Sequence, residues 1–268
     1  VGVLADRVAI VTGASRGIGE AIARRLAAEG AAVAVSARTV EPGASPFAGS
    51  LTETVESIRS AGGTAVAVAA DLARPEDRER LVDHVTKQLG PADILVNNGA
   101  VTWFEPVAEF SERHYDVMFE VQVKAPFHLA RLVLPEMRAR RRGWILNISS
   151  GAARHPQGPP YPNPRVSAGT VYGMCKAALE RLSTGLAAEV SAEGIAVNAL
   201  SPTGPVATPG IIHHRLVPPG AEDRYERMEF MTEAALALCS GDPTVLTGRV
   251  AYSQQLLKEL GREPQPLS

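Results

Sequence analysis

The alternation of short apolar runs with longer amphipathic stretches constrains this chain more than any other feature. It starts almost at the first residue and continues to about Leu200. Arg7–Thr12, Ala32–Ser36, Thr64–Ala70, Ile94–Asn97, Trp144–Ser149 and Ala196–Leu200 are short, apolar and rich in β-branched residues, as buried strands are. Between them the apolar spacing predicts helices over Ile18–Glu29, Thr52–Ala61 and Pro75–Leu89, closed by Gly30, Gly62-Gly63 and Gly90. Pro75 suits a first helical turn, where its missing N–H is not needed. Longer helical patterns follow near Glu112–Arg140 and Val171–Glu193. Strand and helix alternating in this way predict an α/β fold: a doubly wound parallel sheet with right-handed crossovers and helices on both faces. Such sheets bind ligands beyond the carboxyl ends of their strands, at the topological switch point.

Three segments break the rhythm: Val40–Ser50, the Pro-rich Arg154–Ser167, and Pro202–Met231 with its Pro218-Pro219. Long loops in a compact domain are functional lids or mobile decoration. With no repeat and no linker, residues 1–268 are expected to form one domain, large enough to hold a core without a disulfide or metal staple. The two cysteines, Cys175 and Cys239, form neither a disulfide framework nor a zinc spacing, which points to a reducing compartment. Lys+Arg 27 against Asp+Glu 29 removes the usual drive toward nucleic acid or an anionic membrane. No apolar run approaches the roughly 18 residues of a membrane span. These features predict a cytoplasmic protein with a small or weakly charged ligand.

Chemistry gathers at the strand ends. After the first strand comes Thr12-Gly13-Ala14-Ser15-Arg16-Gly17-Ile18-Gly19, leading straight into a helix. Glycines let a backbone approach a pyrophosphate closely, and a helix N-terminus offers free N–H groups; the same glycines could also form only a tight turn. The second strand ends at Arg38 rather than at the carboxylate that would accept a ribose 2′-hydroxyl, and Arg16 stands in the glycine loop. Two guanidiniums suit a 2′-phosphate, so NADP(H) is preferred, with NAD(H) possible; a solvated Arg38 is the plainer alternative. Tyr172 and Lys176 are spaced i, i+4, on one helical face, where an ammonium would favour the phenolate and so serve proton transfer at an alcohol oxygen. Ser149-Ser150 end a strand, where a hydroxyl could polarise a carbonyl or simply form a turn.

Taken together, Thr12-Gly13-x-x-x-Gly17-x-Gly19, Asp71-Leu72, Asn97-Asn98-Gly99, Ser150, Tyr172-x-x-x-Lys176 and Pro202 resemble the short-chain dehydrogenase/reductase family, in order and in strand position, over essentially the whole chain. The stretch after the second strand and Asn198–Pro202 followed by Thr208 look closest to its hydroxysteroid-dehydrogenase-like branch. The resemblance implies a Rossmann-like sheet of about seven strands, NAD(P) binding, and hydride transfer between nicotinamide and a carbonyl or alcohol carbon. It implies Tyr172 as acid/base, Lys176 as ribose holder that lowers the Tyr172 pKa, and Ser150 as orienter of the substrate oxygen. Gly13, Ser15, Arg16, Gly17, Ile18 and Gly19 would cradle the cofactor. Asp71 and Leu72 would lie at adenine, Asn98-Gly99 beside the adenosine ribose, and Pro202 with Val206 to Thr208 near the carboxamide. A homotetramer or dimer through the Glu112–Arg140 and Val171–Glu193 helices is likewise implied.

Several positions depart from that pattern. Gln122 stands where the family usually has Asn in a water-linked proton relay; its extra methylene moves the amide by more than about an ångström. Thr203 replaces a common Gly, Asn97–Ala100 reverses an Ala-Gly order, Arg154–Ser167 reads as an insertion, and Ala251-Tyr252-Ser253 lies near the missing Asp-Gly-Gly. The resulting expectation is an NADP(H)-dependent ketoreductase or alcohol dehydrogenase for a medium-sized apolar alcohol or ketone, of steroid, terpenoid or acyl type. The alternative is an NADP(H)-binding scaffold or sensor. Arg138–Arg142 reads as a helix C-terminal cation cluster rather than a nucleic-acid patch, His213-His214 as no metal site, and Cys175 as packing. Trp103, Phe104 and Tyr161 would line a pocket or fill core.

Overall fold

The structure is a computed structural model that describes residues 2–161, 169–213, 217 and 220–267. Seven strands form one sheet: β1 (Val8–Thr12), β2 (Ala32–Ala37), β3 (Thr64–Ala69), β4 (Ile94–Asn97), β5 (Gly143–Ile148), β6 (Ile195–Ser201) and β7 (Val250–Tyr252). Their order is β3-β2-β1-β4-β5-β6-β7, with every pairing parallel. The chain direction reverses across the sheet between β1 and β4, which sets the switch point where the sequence requires it. Every residue of β1, β5 and β6 is buried, whereas the edge strand β3 buries only Ala65 and Val68. Two apolar clusters flank the sheet, one beneath α1 (Gly17–Ala28) and α7 (Met228–Ser240), the other beneath α3 (Pro75–Gln88) and α5 (Ala125–Arg140). The remaining helices are α2 (Leu51–Ser60), α4 (Glu112–Phe119), α6 (Thr170–Glu189) and α8 (Ser253–Leu260).

Three expectations change. The continuous helix over Glu112–Arg140 is interrupted by a π turn, Glu120–Lys124, immediately before Pro126 in the first turn of α5. Proline has no N–H to donate back to residue 122, so the regular ladder cannot pass through this point. The expected loop Pro202–Met231 holds a helical turn, Pro209–His213, and ends where α7 begins at Met228. Strand β7, only three residues long, had no periodic signal of its own. Within the loops singled out from sequence, residues 162–168, 214–216, 218 and 219 lie outside the described residues, and with them Pro218-Pro219, His214 and part of the Arg154–Ser167 insertion.

Side-chain amides lock the strand ends near the switch point. Asn97 Nδ2 donates to Asn147 Oδ1 over 2.8 Å, and Asn147 Nδ2 donates to the Ser183 hydroxyl over 2.8 Å. This buried chain ties β4 to β5 and β5 to α6, the helix that carries Tyr172 and Lys176. Arg138–Arg142 is consumed in similar ties: Arg138 pairs with Glu193, Arg140 and Arg142 with the buried Asp93, and Arg141 donates to the Ala192 carbonyl.

Candidate active site

A cleft of about 1300 Å³ opens over the carboxyl ends of the strands. Near β1 and β2 its wall carries Gly13, Ser15, Arg16, Gly17, Ile18 and Arg38, followed by Asp71, Leu72, Asn98 and Gly99. Near β5 and β6 it carries Ser150, Tyr172, Lys176, Pro202, Val206 and Thr208. Two residues expected at the site, Gly19 and Gln122, are not on this wall. Gly19 supports it from below: a Cβ there would lie 2.3 Å from Asn98 Nδ2 and 2.4 Å from the Gly13 carbonyl oxygen.

The glycine loop is built by its neighbours. Gly13 and Gly17 adopt φ of +65° and +60°, a region that side-chain-bearing residues avoid. Asn98 Nδ2 donates to the carbonyls of Thr12 (3.0 Å) and Gly13 (3.1 Å), while the Thr12 hydroxyl accepts from the N–H groups of Asn98 and Gly99. Asn98 thus braces the loop as well as facing the cleft. Asp71 makes a local turn, accepting from the Ala73 N–H over 3.0 Å.

Arg16 is held over the loop by the segment after β2. It donates to the Ser45 hydroxyl (3.1 Å) and the Gly49 carbonyl (2.8 Å), and its guanidinium sits 5.7 Å from the centre of the Phe47 ring. Its Nε is buried with no hydrogen-bond partner among the described residues. Burial lowers the Arg16 pKa, and the nearby positive charge of Arg38 lowers it further. Two cations that repel each other at one end of a cleft form a site for an anion.

At the other end, Ser150 and Tyr172 both face the cleft, and the Ser150 hydroxyl acts on the phenol to lower its pKa. Lys176 is buried, its Nζ donating to the Ile148 carbonyl over 2.9 Å and lying 5.6 Å from the centre of the Tyr172 ring. Burial brings the Lys176 pKa down to about 8. Burial also pushes the Tyr172 phenol up, with only the influence of Ser150 opposing it. The expected depression of Tyr172 by Lys176 is therefore not found, because desolvation dominates both groups. Gln122, in the π turn, is buried and donates from Nε2 to the Val101 carbonyl over 2.8 Å; its Oε1 has no partner among the described residues.

Aromatic side chains line the space facing Tyr172. Phe104 meets its ring edge-on at 5.7 Å, and Trp103 stacks on His114 at 4.0 Å. Tyr161 is instead exposed and off the cleft wall. Cys175 is fully buried with its thiol pushed up to about 11, which makes it core rather than a reactive group. No cluster of metal-ligating side chains occurs among the described residues. Sequence reasoning missed two carboxylates whose partners are remote in the chain: Glu180, which accepts from the Ser149 hydroxyl over 2.7 Å, and Glu226, beneath the loop after β6.

The fold recurs in known proteins. The short chain dehydrogenase family model matches residues 7–213. The chain belongs to this family. Its Rossmann-like fold and its membership were both legible in the sequence. It is 34% identical to dehydrogenase/reductase SDR family member 4 of Sus scrofa over 250 residues, covering 93% of this chain and 81% of that one. A metagenomic short-chain oxidoreductase solved in complex with NADP superposes with TM-score 0.76 at 29% identity, covering 94% of this chain and 98% of that one. A 3-oxoacyl (acyl-carrier-protein) reductase from Agrobacterium tumefaciens, solved with NADP bound, gives TM-score 0.78 at 29% identity and covers 93% of each chain. Family members are oxidoreductases that use NAD(P) at CH–OH and C=O centres.

Proposed function

We propose that this short-chain dehydrogenase is an NADP(H)-dependent ketoreductase, interconverting a ketone and a secondary alcohol on a medium-sized, largely apolar substrate of steroid, terpenoid or fatty-acyl type. The observation that carries the reading is that Ser150 and Tyr172 meet at the end of the cleft, with the buried Lys176 one helical turn on. This chain's own atoms accommodate the cofactor. A Cβ at Gly13 would come within 2.7 Å of Gly99, so the close backbone cradle exists only with glycine. The orphaned Arg16 Nε and the mutual repulsion of Arg16 and Arg38, only partly offset by Glu53, support an anion site, which NADP(H) can fill with its 2′-phosphate and NAD(H) cannot.

When bound, NADPH supplies the hydride. Gly13, Ser15 and Gly17 would hold its phosphates, Arg16 and Arg38 the 2′-phosphate, Asp71 and Leu72 the adenine, and Lys176 the second ribose. Pro202, Val206 and Thr208 would face the carboxamide. Tyr172 keeps its proton at neutral pH, because burial raises its pKa, and it is therefore poised to donate that proton to a carbonyl oxygen oriented by Ser150. Trp103 and Phe104 give the substrate end an apolar wall, which supports a large substrate. The scaffold-or-sensor alternative draws on Gln122, whose amide is tied to Val101 and off the cleft wall. A single cytoplasmic domain and a homo-oligomeric assembly belong to the same reading; no described helix is long and apolar enough to cross a membrane.

The test is a titration with NADPH and NADH followed by Trp103 fluorescence, then a ketone panel. Quenching by NADPH with turnover of apolar ketones is expected. Tyr172→Phe should abolish turnover and spare NADPH binding, and binding without any turnover in the wild type would leave the scaffold. Arg38→Ala should weaken NADPH about tenfold and leave NADH unchanged, the loss expected of a charge-assisted contact. Equal effects on both nucleotides would overturn the cofactor assignment.

A further inference from the structure

Glu226 is a buried carboxylate with four donors, two from the loop that follows β6 and two from the first turn of α8. Its Oε2 accepts from the backbone N–H groups of Thr203 (2.7 Å) and Gly204 (2.9 Å), and from the Gln254 side chain (3.2 Å). Its Oε1 accepts a short hydrogen bond from the Ser253 hydroxyl. Ser253 Oγ in turn accepts from the Thr203 N–H over 3.1 Å, and the Thr203 hydroxyl donates to Gln255 Oε1 over 2.8 Å. The Glu226 backbone completes the clamp, donating to the Pro205 carbonyl over 2.8 Å and pairing with Val206 in an isolated bridge.

The position of this clamp matters more than its bonds. Pro202, Thr203, Gly204, Pro205 and Val206 line the cleft, whereas Glu226 and Ser253 do not. The carboxylate therefore grips the loop from behind. The loop leaves β6, the neighbour of β5, and β5 leads to Ser150 and supplies the Ile148 carbonyl that holds Lys176. It thus sits at the reacting end of the cleft, away from Arg16 and Arg38 near β1 and β2. Burying a carboxylate is costly unless its lone pairs are filled. Here they are filled by one loop's consecutive N–H groups and the first turn of α8, so the charge fixes a loop conformation rather than merely completing a core.

We propose that Glu226 is a positioning residue: by holding the Pro202–Val206 loop from behind, it sets the affinity for the nicotinamide end of the cofactor and the alignment of that end for hydride transfer. The proposal rests on the NADP(H) reading above. Ser253 is the relay in this arrangement, since its hydroxyl lies against both the Thr203 N–H and Glu226.

The experiment compares two ligands on the full-length protein by calorimetry: NADPH, and 2′-phospho-ADP-ribose, which keeps the adenosine end and lacks the nicotinamide. Glu226→Gln should weaken NADPH about tenfold, as expected for lost charge-assisted bonds, and leave the fragment within about twofold. Apolar-ketone kcat should fall in parallel. Adding Ser253→Asp to Glu226→Gln places a carboxylate within reach of the Thr203 N–H, and NADPH affinity should return to within about threefold of wild type. Glu226→Asp, shorter by a methylene but still charged, gives an intermediate loss and guards against a variant that does not fold. Equal weakening of both ligands, or of neither, would overturn the positioning role alone. A wild-type protein that binds neither NADPH nor the fragment would overturn the cofactor reading as well.

Discussion

Burial decides the chemistry of individual residues at this site, and it acts in opposite directions on Tyr172 and Lys176. The phenol is pushed up, toward its neutral form, and the ammonium down to about 8, also toward its neutral form. Lys176 is charged below pH about 8 and neutral above it. An ammonium that must hold ribose hydroxyls is lost in that range, so kcat/KM for NADPH at saturating ketone should fall as pH rises through about 8. Lys176→Arg, which stays charged, should shift that fall upward even at reduced activity; a wild-type profile flat to high pH would remove Lys176 from the role. The stability sign is the reverse. The folded-state value lies below the unfolded one of about 10.4, so between the two the unfolded chain binds more protons and stability rises with pH. Gln122 makes a second residue-scale prediction. Gln122→Asn withdraws the amide from the Val101 carbonyl and leaves buried polar groups unpaired, which should cost about 1–3 kcal/mol in a urea melt.

Elements were legible where their signal is periodic and local. The spacing Tyr172–Lys176 was readable because the helical period puts both on one face, and the six longer strands because each is a continuous apolar run between turn residues. Strand β7 has three residues and α7 is apolar almost all round, so neither had a pattern to read. Glu226 could not be found at all, since its partners Thr203 and Ser253 lie 23 and 27 positions away. The π turn is another such case, and it is held from outside by an ion pair that joins it to α3. Arg78 is fully buried, with Nη2 on Glu120 Oε1 at 2.6 Å and its Nε and Nη1 without partners among the described residues. Burial works upward on Glu120, but the bonds from Lys124 and Arg78 outweigh it and hold the carboxyl below its usual value. Glu120→Gln strands a buried guanidinium, and because Glu120 is itself partly exposed the expected loss is about 2–3 kcal/mol, a fall in Tm of roughly 5–10 °C. The pair's contribution is present above the ordinary carboxylate range and is lost as pH falls through the depressed Glu120 value, so the variant's deficit should shrink in acid. A deficit that persists unchanged at low pH would place it in packing instead.

At the scale of the whole molecule, α4, α5 and α6 carry apolar side chains that this chain alone leaves in water. Tyr115 on α4 is 37% exposed, Phe127 on α5 is 53% exposed and Met174 on α6 is 44% exposed. Met174 is two residues past Tyr172, and that spacing turns the two side chains to opposite faces of α6, one toward the cleft and one away from it. A surface on the outer side of α6 is therefore available for association without obstructing the site. Closed homo-oligomers repeat each interface residue by symmetry, so a charge placed at the centre of such a surface is buried at least twice. The wild-type protein at micromolar concentration should sediment as a dimer or tetramer, and Phe127→Glu should shift it to the mass of one chain. NADPH affinity should survive that change, because no residue of the cleft wall lies on α5. A wild-type protein that already sediments as a single chain would overturn the assembly and leave the cofactor and proton-transfer assignments untouched, since every group they require comes from one chain.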